Sequence, residues 1–367
     1  MADAAAARDT PPADVRTQTA LAGVDLAGRG LEIGPSYNPL VPKSSGYDVR
    51  VIDHAPREEL IAKYRGYGLD EALIERIEEV DHLWSGGSLA DVVDAPGTYD
   101  YVIASNFIEH TVDLIGFLND CAAMLRPGGR LALVVPDLRW CFDHFKPPST
   151  LGQIVDAHLR PTTFHPPGSL LDHTAYACTL DGQVAWWPGQ TGTIGLQLPA
   201  LEGAAQVIAD GDRQDVYHDT HRWRFTPASF EFLLDDLRDL GYQPFVQVLG
   251  GESLGFEFFV TLEAGATPPA ARDRLAQLLR VRDEVLIGCG GLTAAEADEL
   301  RAERSALLGE RADLRTELAE TRASVSARVT QLEEELDALR ASTSWRLTRP
   351  LRALRDVTGQ VLARVGR

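Results

Sequence analysis

Three short stretches carry residues suited to holding a nucleoside ligand. Leu31-Glu32-Ile33-Gly34-Pro35-Ser36 places an acid and a glycine at the end of an apolar run. Val51-Ile52-Asp53-His54 ends a second run on an acid, at the separation expected of a ribose-binding carboxylate, ~20 residues on. Tyr99-Asp100-Tyr101-Val102-Ile103-Ala104-Ser105-Asn106 ends a third run in small polar residues. A carboxylate after the second strand can accept from both hydroxyls of a ribose. Glycine after the first strand lets the backbone come close to a ligand. Glu32, Gly34, Pro35, Asp53, His54, Ser105 and Asn106 are therefore the candidate cofactor-binding residues. A further stretch, His218-Asp219-Thr220-His221-Arg222-Trp223, holds two histidines three residues apart, a spacing known among metal ligands. Sequence places no third ligand beside them, so no metal site is expected.

The elements that must position these residues alternate in type. Apolar runs at Leu31–Gly34, Val49–Asp53, Val80–Leu83, Asp100–Ser105 and Arg130–Val135 read as strands. Between them, Arg57–Tyr64, Leu69–Ile77 and Val112–Leu125 have helical spacing, the last with Leu114, Phe117, Leu118, Cys121 and Leu125 on one stripe. Arg126-Pro127-Gly128-Gly129 stops that helix. Leu131–Val135 is apolar throughout, as a strand buried on both faces requires. The alternation predicts an α/β fold with a doubly wound, mostly parallel sheet.

The rhythm breaks at 137–224, which is rich in Pro, Gly, His and aromatics and reads as an inserted substrate lid. Tyr176–Leu180 and Gln183–Trp187, joined by Asp181-Gly182, read as a hairpin. Thr226 caps a returning helix with Pro227 at its first position, and Phe245–Leu249 and Phe256–Leu262 are closing strands. The expected organisation is a loose tail over 1–28, one domain over 29–264, a linker and helix over 265–292, a coiled coil over 293–341 and a basic amphipathic tail over 342–367. Leu300, Leu307 and Leu314 repeat every seven residues, as do Leu318, Val325, Leu332 and Leu339, which is a coiled-coil seam and implies a homo-oligomer.

The runs GLEIGPSYNP, VIDH, YDYVIASNFIEH and LRPGGRLALVVPD, in that order across residues 30–137, resemble the class I S-adenosylmethionine-dependent methyltransferases. The resemblance implies S-adenosylmethionine as cofactor. Glu32 then matches the acid that meets the methionine amino group, Gly34 the first motif glycine, Asp53 the ribose acid and Asn106 the methionine end. The usual glycine-rich turn is reduced here to Gly34, and Trp84–Leu89, where an adenine-contacting acid belongs, contains none. Asp81 or Asp91 are offset substitutes. Methyl transfer needs an aligned nucleophile, and a hydroxyl acceptor also needs a group to take its proton. His110, Asp137 and His221 are the candidate catalytic residues, with Asp143, His144 and His218 behind them. Trp140, Trp186, Trp187 and Trp223 offer ring faces for a sugar acceptor. The expected activity is O-methylation of a sugar or polysaccharide intermediate. A lipid or other small-molecule acceptor, and a cofactor-free scaffold, are the competing readings.

Composition narrows the classes further. The 367 residues carry a net charge of −19, which repels phosphate backbones and argues against a nucleic-acid partner. Apolar residues make up 44 %, enough for a sizeable core. Four cysteines without a CxxC pair, and no basic-then-apolar leader, point to a cytoplasmic protein. The last 26 residues reverse the sign, with six arginines against one acid. Ser342-Thr343-Ser344-Trp345-Arg346 and Pro350-Leu351-Arg352 resemble an ending found on bacterial polysaccharide-assembly proteins. A basic amphipathic helix with a nearby tryptophan suits peripheral contact with the inner membrane face.

Overall fold

The computed structural model describes residues 13–198, 206, 209, 218–268 and 272–289, with a set of positions between 306 and 343. The chain divides into two compact units, 1–291 and 292–367. In the first unit, β1 (Gly30–Ile33), β2 (Val49–Asp53), β3 (His82–Leu83), β4 (Tyr99–Ser105) and β5 (Leu125–Pro136) pair in parallel. β8 (Phe245–Leu254) and β9 (Glu257–Ala264) close the sheet antiparallel, in the order β3-β2-β1-β4-β5-β9-β8. Between β1 and β4 the order reverses, the point at which open α/β sheets bind ligands.

Period-two alternation sends the strand side chains to two cores. Leu31, Ile33, Val102, Ala104, Leu131, Leu133 and Val135 face α4 (Leu114–Met124), α5 (Leu151–Leu159) and α7 (Pro227–Asp239). Tyr101, Ile103, Ala132 and Val134 face the other side, where Ala20, Leu40 and Val41 cover them. With both faces covered, the expected continuous apolar strand is the outcome. α2 (Arg57–Gly66) and α3 (Glu71–Ile74) follow β2. Asp113 caps α4 by accepting from Gly116 N at 3.0 Å. Thr226 and Ser229 form a reciprocal capping box at α7, with Pro227 in its first turn as the sequence predicts.

Two expectations are corrected. Residues 13–28 are not a loose tail. α1 (Ala13–Ala20) packs on the sheet, Thr261 Oγ1 donates to Ala22 O at 2.8 Å, and Arg16 is only 5 % exposed. Nor do Tyr176–Leu180 and Gln183–Trp187 pair along their length. Asp181-Gly182 does turn, both at positive φ, and Leu180 and Gln183 exchange backbone hydrogen bonds at 2.9 Å. Beyond that the chain leaves: Ala185 bridges Cys141, and β7 (Ile194–Leu196) takes the place beside β6 (Cys178–Leu180). Trp186 is the cause, since it is buried with Cys178, Leu180 and Trp140 in a small core of its own. α6 (Pro167–Tyr176) precedes this hairpin, and α8 (Arg274–Cys289) follows the sheet.

Cys121, Cys141 and Cys178 are buried free thiols. Among the described residues no helix is long and apolar enough to cross a membrane. The tail beyond Thr343 and much of the expected coiled coil lie outside the described residues. The described run 324–335 is helical, and Leu318, Val325 and Leu332 are each about half exposed within the chain.

Candidate active site

The residues expected to meet a cofactor converge at the carboxyl ends of β1, β2 and β4. Gly34 has φ +63° and a Cβ there would stand 2.6 Å from the Phe107 ring, so both backbone and space demand glycine. Ser36 (φ 48°) and Asn106 (φ 49°) adopt the same left-handed region without being glycine. Such backbone costs ~1–3 kcal/mol and concentrates at ligand sites. Asp53 explains the Ser36 conformation. Its Oδ2 accepts from Ser36 N at 3.2 Å and Ser36 Oγ at 3.3 Å, while Oδ1 accepts from His54 N at 2.8 Å and faces His54 Nδ1 at 2.7 Å. The predicted ribose acid thus ties the β1 and β2 loops together. The Pro35 carbonyl closes the turn by accepting from Asn38 N at 2.8 Å.

Glu32 is 1 % exposed and lies under this loop. It accepts from Leu40 N at 2.6 Å and Val41 N at 3.4 Å, and burial pushes its carboxyl up to about 7. Its shown role is to hold the 35–41 segment in place. No acid stands at Trp84–Leu89; instead the Trp84 ring lies 5.7 Å from Phe107 and 6.4 Å from Phe117, an aromatic wall suited to an adenine face.

At the end of β4 the structure adds two residues that sequence reasoning missed. Arg16 donates to both oxygens of Glu257 at 2.8 Å and to Ser105 Oγ at 3.0 Å. Asn106 Nδ2 donates to Glu257 Oε1 at 2.7 Å. Arg16 sits 241 residues from Glu257 in a segment that reads as a tail, so no local signal announced the pair. An aromatic wall and a charged, polar end at β4 fit S-adenosylmethionine; Asp53 stands at the ribose position with its side chain 2 % exposed and both oxygens held by Ser36 and His54, so a ribose there displaces one of those contacts.

Past the end of β4 the turn Ile108–His110 meets segment 218–224. Backbone N–H groups of Arg222 and Trp223 donate to Glu109 O at 2.8 and 3.1 Å, and Trp223 Nε1 donates to Thr111 O at 2.7 Å. This seam brings His110 and His221 together, with ring centres 4.6 Å apart. His221 Nδ1 faces Asp143 Oδ2 at 2.6 Å, and Lys146 holds the other Asp143 oxygen. Burial raises the Asp143 carboxyl, but His221 and Lys146 outweigh it and hold the group far below its ordinary range. Burial lowers His221 despite the Asp143 contact. For His110 burial also lowers, yet Asp219 and Glu109 prevail and its pKa is raised.

Glu109 completes the cluster. It is 1 % exposed, its Oε1 lies 3.8 Å from His110 Nε2 and 4.0 Å from His221 Nε2, and among the described residues neither oxygen has a hydrogen-bond partner. Burial pushes it up to about 7. Sequence reasoning passed over Glu109 because an acid before a histidine in a helix-start turn reads as solvated.

Asp137 belongs elsewhere and its candidacy as a base is corrected. It is fully buried, accepts from Arg139 N, Arg139 Nε and Ser253 Oγ, and forms an ion pair with Arg139. With both oxygens engaged it fixes the β5 exit loop. The tryptophans divide as well: Trp186 and Trp223 are buried, whereas Trp140 and Trp187 keep part of their surface.

Residues 14–236 match the family model described as "Methyltransferase domain". Among curated relatives, ubiquinone biosynthesis O-methyltransferase of Xanthomonas oryzae pv. oryzae is 30 % identical over 122 residues, covering 32 % of this chain and 48 % of that protein. The protein of the same name in Methylocella silvestris is 30 % identical over 118 residues, covering 32 % and 42 %. The chain thus spans about half the length of the curated relatives it matches. Among solved structures, the CcbJ methyltransferase from Streptomyces caelestis aligns over 70 % of this chain and 97 % of that one, at 12 % identity and a TM-score of 0.35. With residues 14–236, more than half of its length, matched to that family model, the chain belongs to the methyltransferase domain family.

Proposed function

We propose that the chain is an O-methyltransferase that takes a methyl group from S-adenosylmethionine to a hydroxyl of a small ring-bearing acceptor. The observation that carries this reading is the buried Glu109–His110–His221 cluster at the end of β4, beside the residues fitted to the methionine end of the cofactor. When bound, S-adenosylmethionine supplies an activated methyl group on its sulfonium. The chain must then align the acceptor oxygen and dispose of its proton. A buried acid with unused oxygens beside two histidines is suited to a hydroxyl, which gains reactivity as it loses its proton. The relatives are named as O-methyltransferases, which supports oxygen as the nucleophile.

The acceptor follows from the aromatic residues. Two of the four tryptophans in the insertion are spent on packing, which removes much of the support for a sugar platform. The part-exposed Trp140 and Trp187 keep a sugar acceptor as the second reading. The experiment is turnover of the His221→Ala variant against phenolic and sugar hydroxyl acceptors, alongside its affinity for S-adenosylhomocysteine. Turnover is expected to fall ~10²–10⁴-fold with affinity kept. Full turnover with a hydroxyl acceptor would overturn the role given to the cluster.

A further inference from the structure

We infer that Glu109, His110 and His221 form a binding site for one divalent transition-metal ion. The inference rests on the O-methyltransferase reading only for what the ion does, and on the residues themselves for its binding. One ligand atom from each residue lies within 4.8 Å of the others. Bonds of ~2.0–2.2 Å place neighbouring ligand atoms ~3.0–3.5 Å apart. The observed separations from Glu109 Oε1, 3.8 Å to His110 Nε2 and 4.0 Å to His221 Nε2, need a contraction of ~0.5 Å to reach that spacing.

Two further observations point to an ion. The first is Glu109 itself, buried with both carboxylate oxygens lacking a hydrogen-bond partner among the described residues. Buried carboxylates are ordinarily paired or bound to metal. The second is what stands behind each histidine. His221 Nδ1 faces Asp143 at 2.6 Å and His110 Nδ1 faces Asp219 at 2.8 Å. A carboxylate on one ring nitrogen fixes the proton there and leaves the other nitrogen's lone pair free, the arrangement that surrounds metal-bound histidines. In His221 the freed atom is Nε2, and the Nε2 atoms of His110 and His221 lie 3.8 and 4.0 Å from Glu109 Oε1. The two histidines of the 218–223 stretch are not the pair: His221 joins Glu109 and His110, both from the turn that follows β4.

Two imidazoles and one carboxylate suit zinc or another late first-row ion better than magnesium, calcium or manganese, which favour oxygen ligands. Three protein ligands leave positions open for an acceptor oxygen. An ion there lowers the pKa of the bound hydroxyl, whose proton passes to water; the oxygen–methyl bond then forms as the sulfur–methyl bond breaks. His110 and His221 act in this scheme as ligands, and the dedicated base becomes unnecessary.

The test is calorimetric titration of the full-length, chelator-treated chain with Zn²⁺ and separately with Mg²⁺, with Co²⁺ titration followed by visible absorption. One Zn²⁺ per chain is expected, with ligand-field bands for Co²⁺ and little response to Mg²⁺. Glu109→Gln removes a ligand and a buried charge together, so it should fold at least as well as wild type yet lose Zn²⁺ affinity at least ~10–100-fold. Asp143→Asn, which touches no ion, should weaken binding by a similar ~10–100-fold. Equal Zn²⁺ affinity in wild type and both variants, or no Zn²⁺ uptake by wild type, overturns the inference. If S-adenosylhomocysteine still binds in that case, the methyltransferase reading stands without the ion; if that ligand fails to bind, the methyltransferase reading fails whatever the metal result.

Discussion

Glu32 shows how one buried side chain links sequence, loop and pH. It stands where the family places an acid toward the cofactor, and in the fold it holds Leu40 and Val41 by their backbone. Its carboxyl is raised to about 7 from 4.5, because burial penalises the charged form more than the two N–H donors relieve it. The folded chain therefore binds this proton more tightly than the unfolded chain. The group opposes folding progressively as pH rises from about 4.5 to about 7, by ~3 kcal/mol across that window, and by nothing further above it. Glu32→Gln keeps an acceptor for Leu40 N and removes the ionisation. Urea unfolding of the cofactor-free protein at pH 5 and pH 8 should show wild type losing ~3 kcal/mol relative to the variant between the two. Parallel curves for the two proteins would mean that Glu32 ionises freely in the fold.

The elements that were legible beforehand are those whose pattern is imposed by burial on both faces. β1, β2, β4, β5 and α4 follow from apolar runs and a helical stripe, and Thr226-Pro227 marked α7 by its cap chemistry. What stayed hidden depends on contacts distant in sequence. The arm after Gly182 had hairpin chemistry but was drawn off by the Trp186 core. Asp53 and Gly34 were readable from spacing, whereas the Asp143–His221 contact spans 78 residues and Glu257–Arg16 spans 241. α1 was illegible because its eight residues, ADVRTQTA, carry little apolar surface; it is held instead by Arg16 on Glu257. That makes a prediction. Arg16→Met should leave Glu257 buried without its counter-charge and destabilise the protein by ~3–5 kcal/mol. Adding Glu257→Gln should recover most of the loss, and thermal or urea unfolding of the single and double variants measures the coupling. Additive losses would mean that the pair does not act as a unit.

We propose that the row Leu318, Val325 and Leu332, about half exposed in the single chain, is covered in an oligomer. Deleting residues 293–367 should then lower the mass seen by light scattering to that of one truncated chain. An unchanged oligomer would assign assembly to the first unit. The arginine-rich end, six arginines in 26 residues, is proposed as a peripheral contact for anionic lipid, and its binding to anionic vesicles should weaken with salt. The account as a whole turns on the cofactor loops. The most direct measurement is calorimetry of the full-length chain with S-adenosylhomocysteine, repeated on Asp53→Ala. The account predicts one site per chain in wild type. It predicts a weaker site in the variant, by ~1.5–3 kcal/mol for each lost hydrogen bond to the carboxylate, with some loss from the freed Ser36 loop. No binding by wild type, or equal affinity in the two proteins, would contradict it.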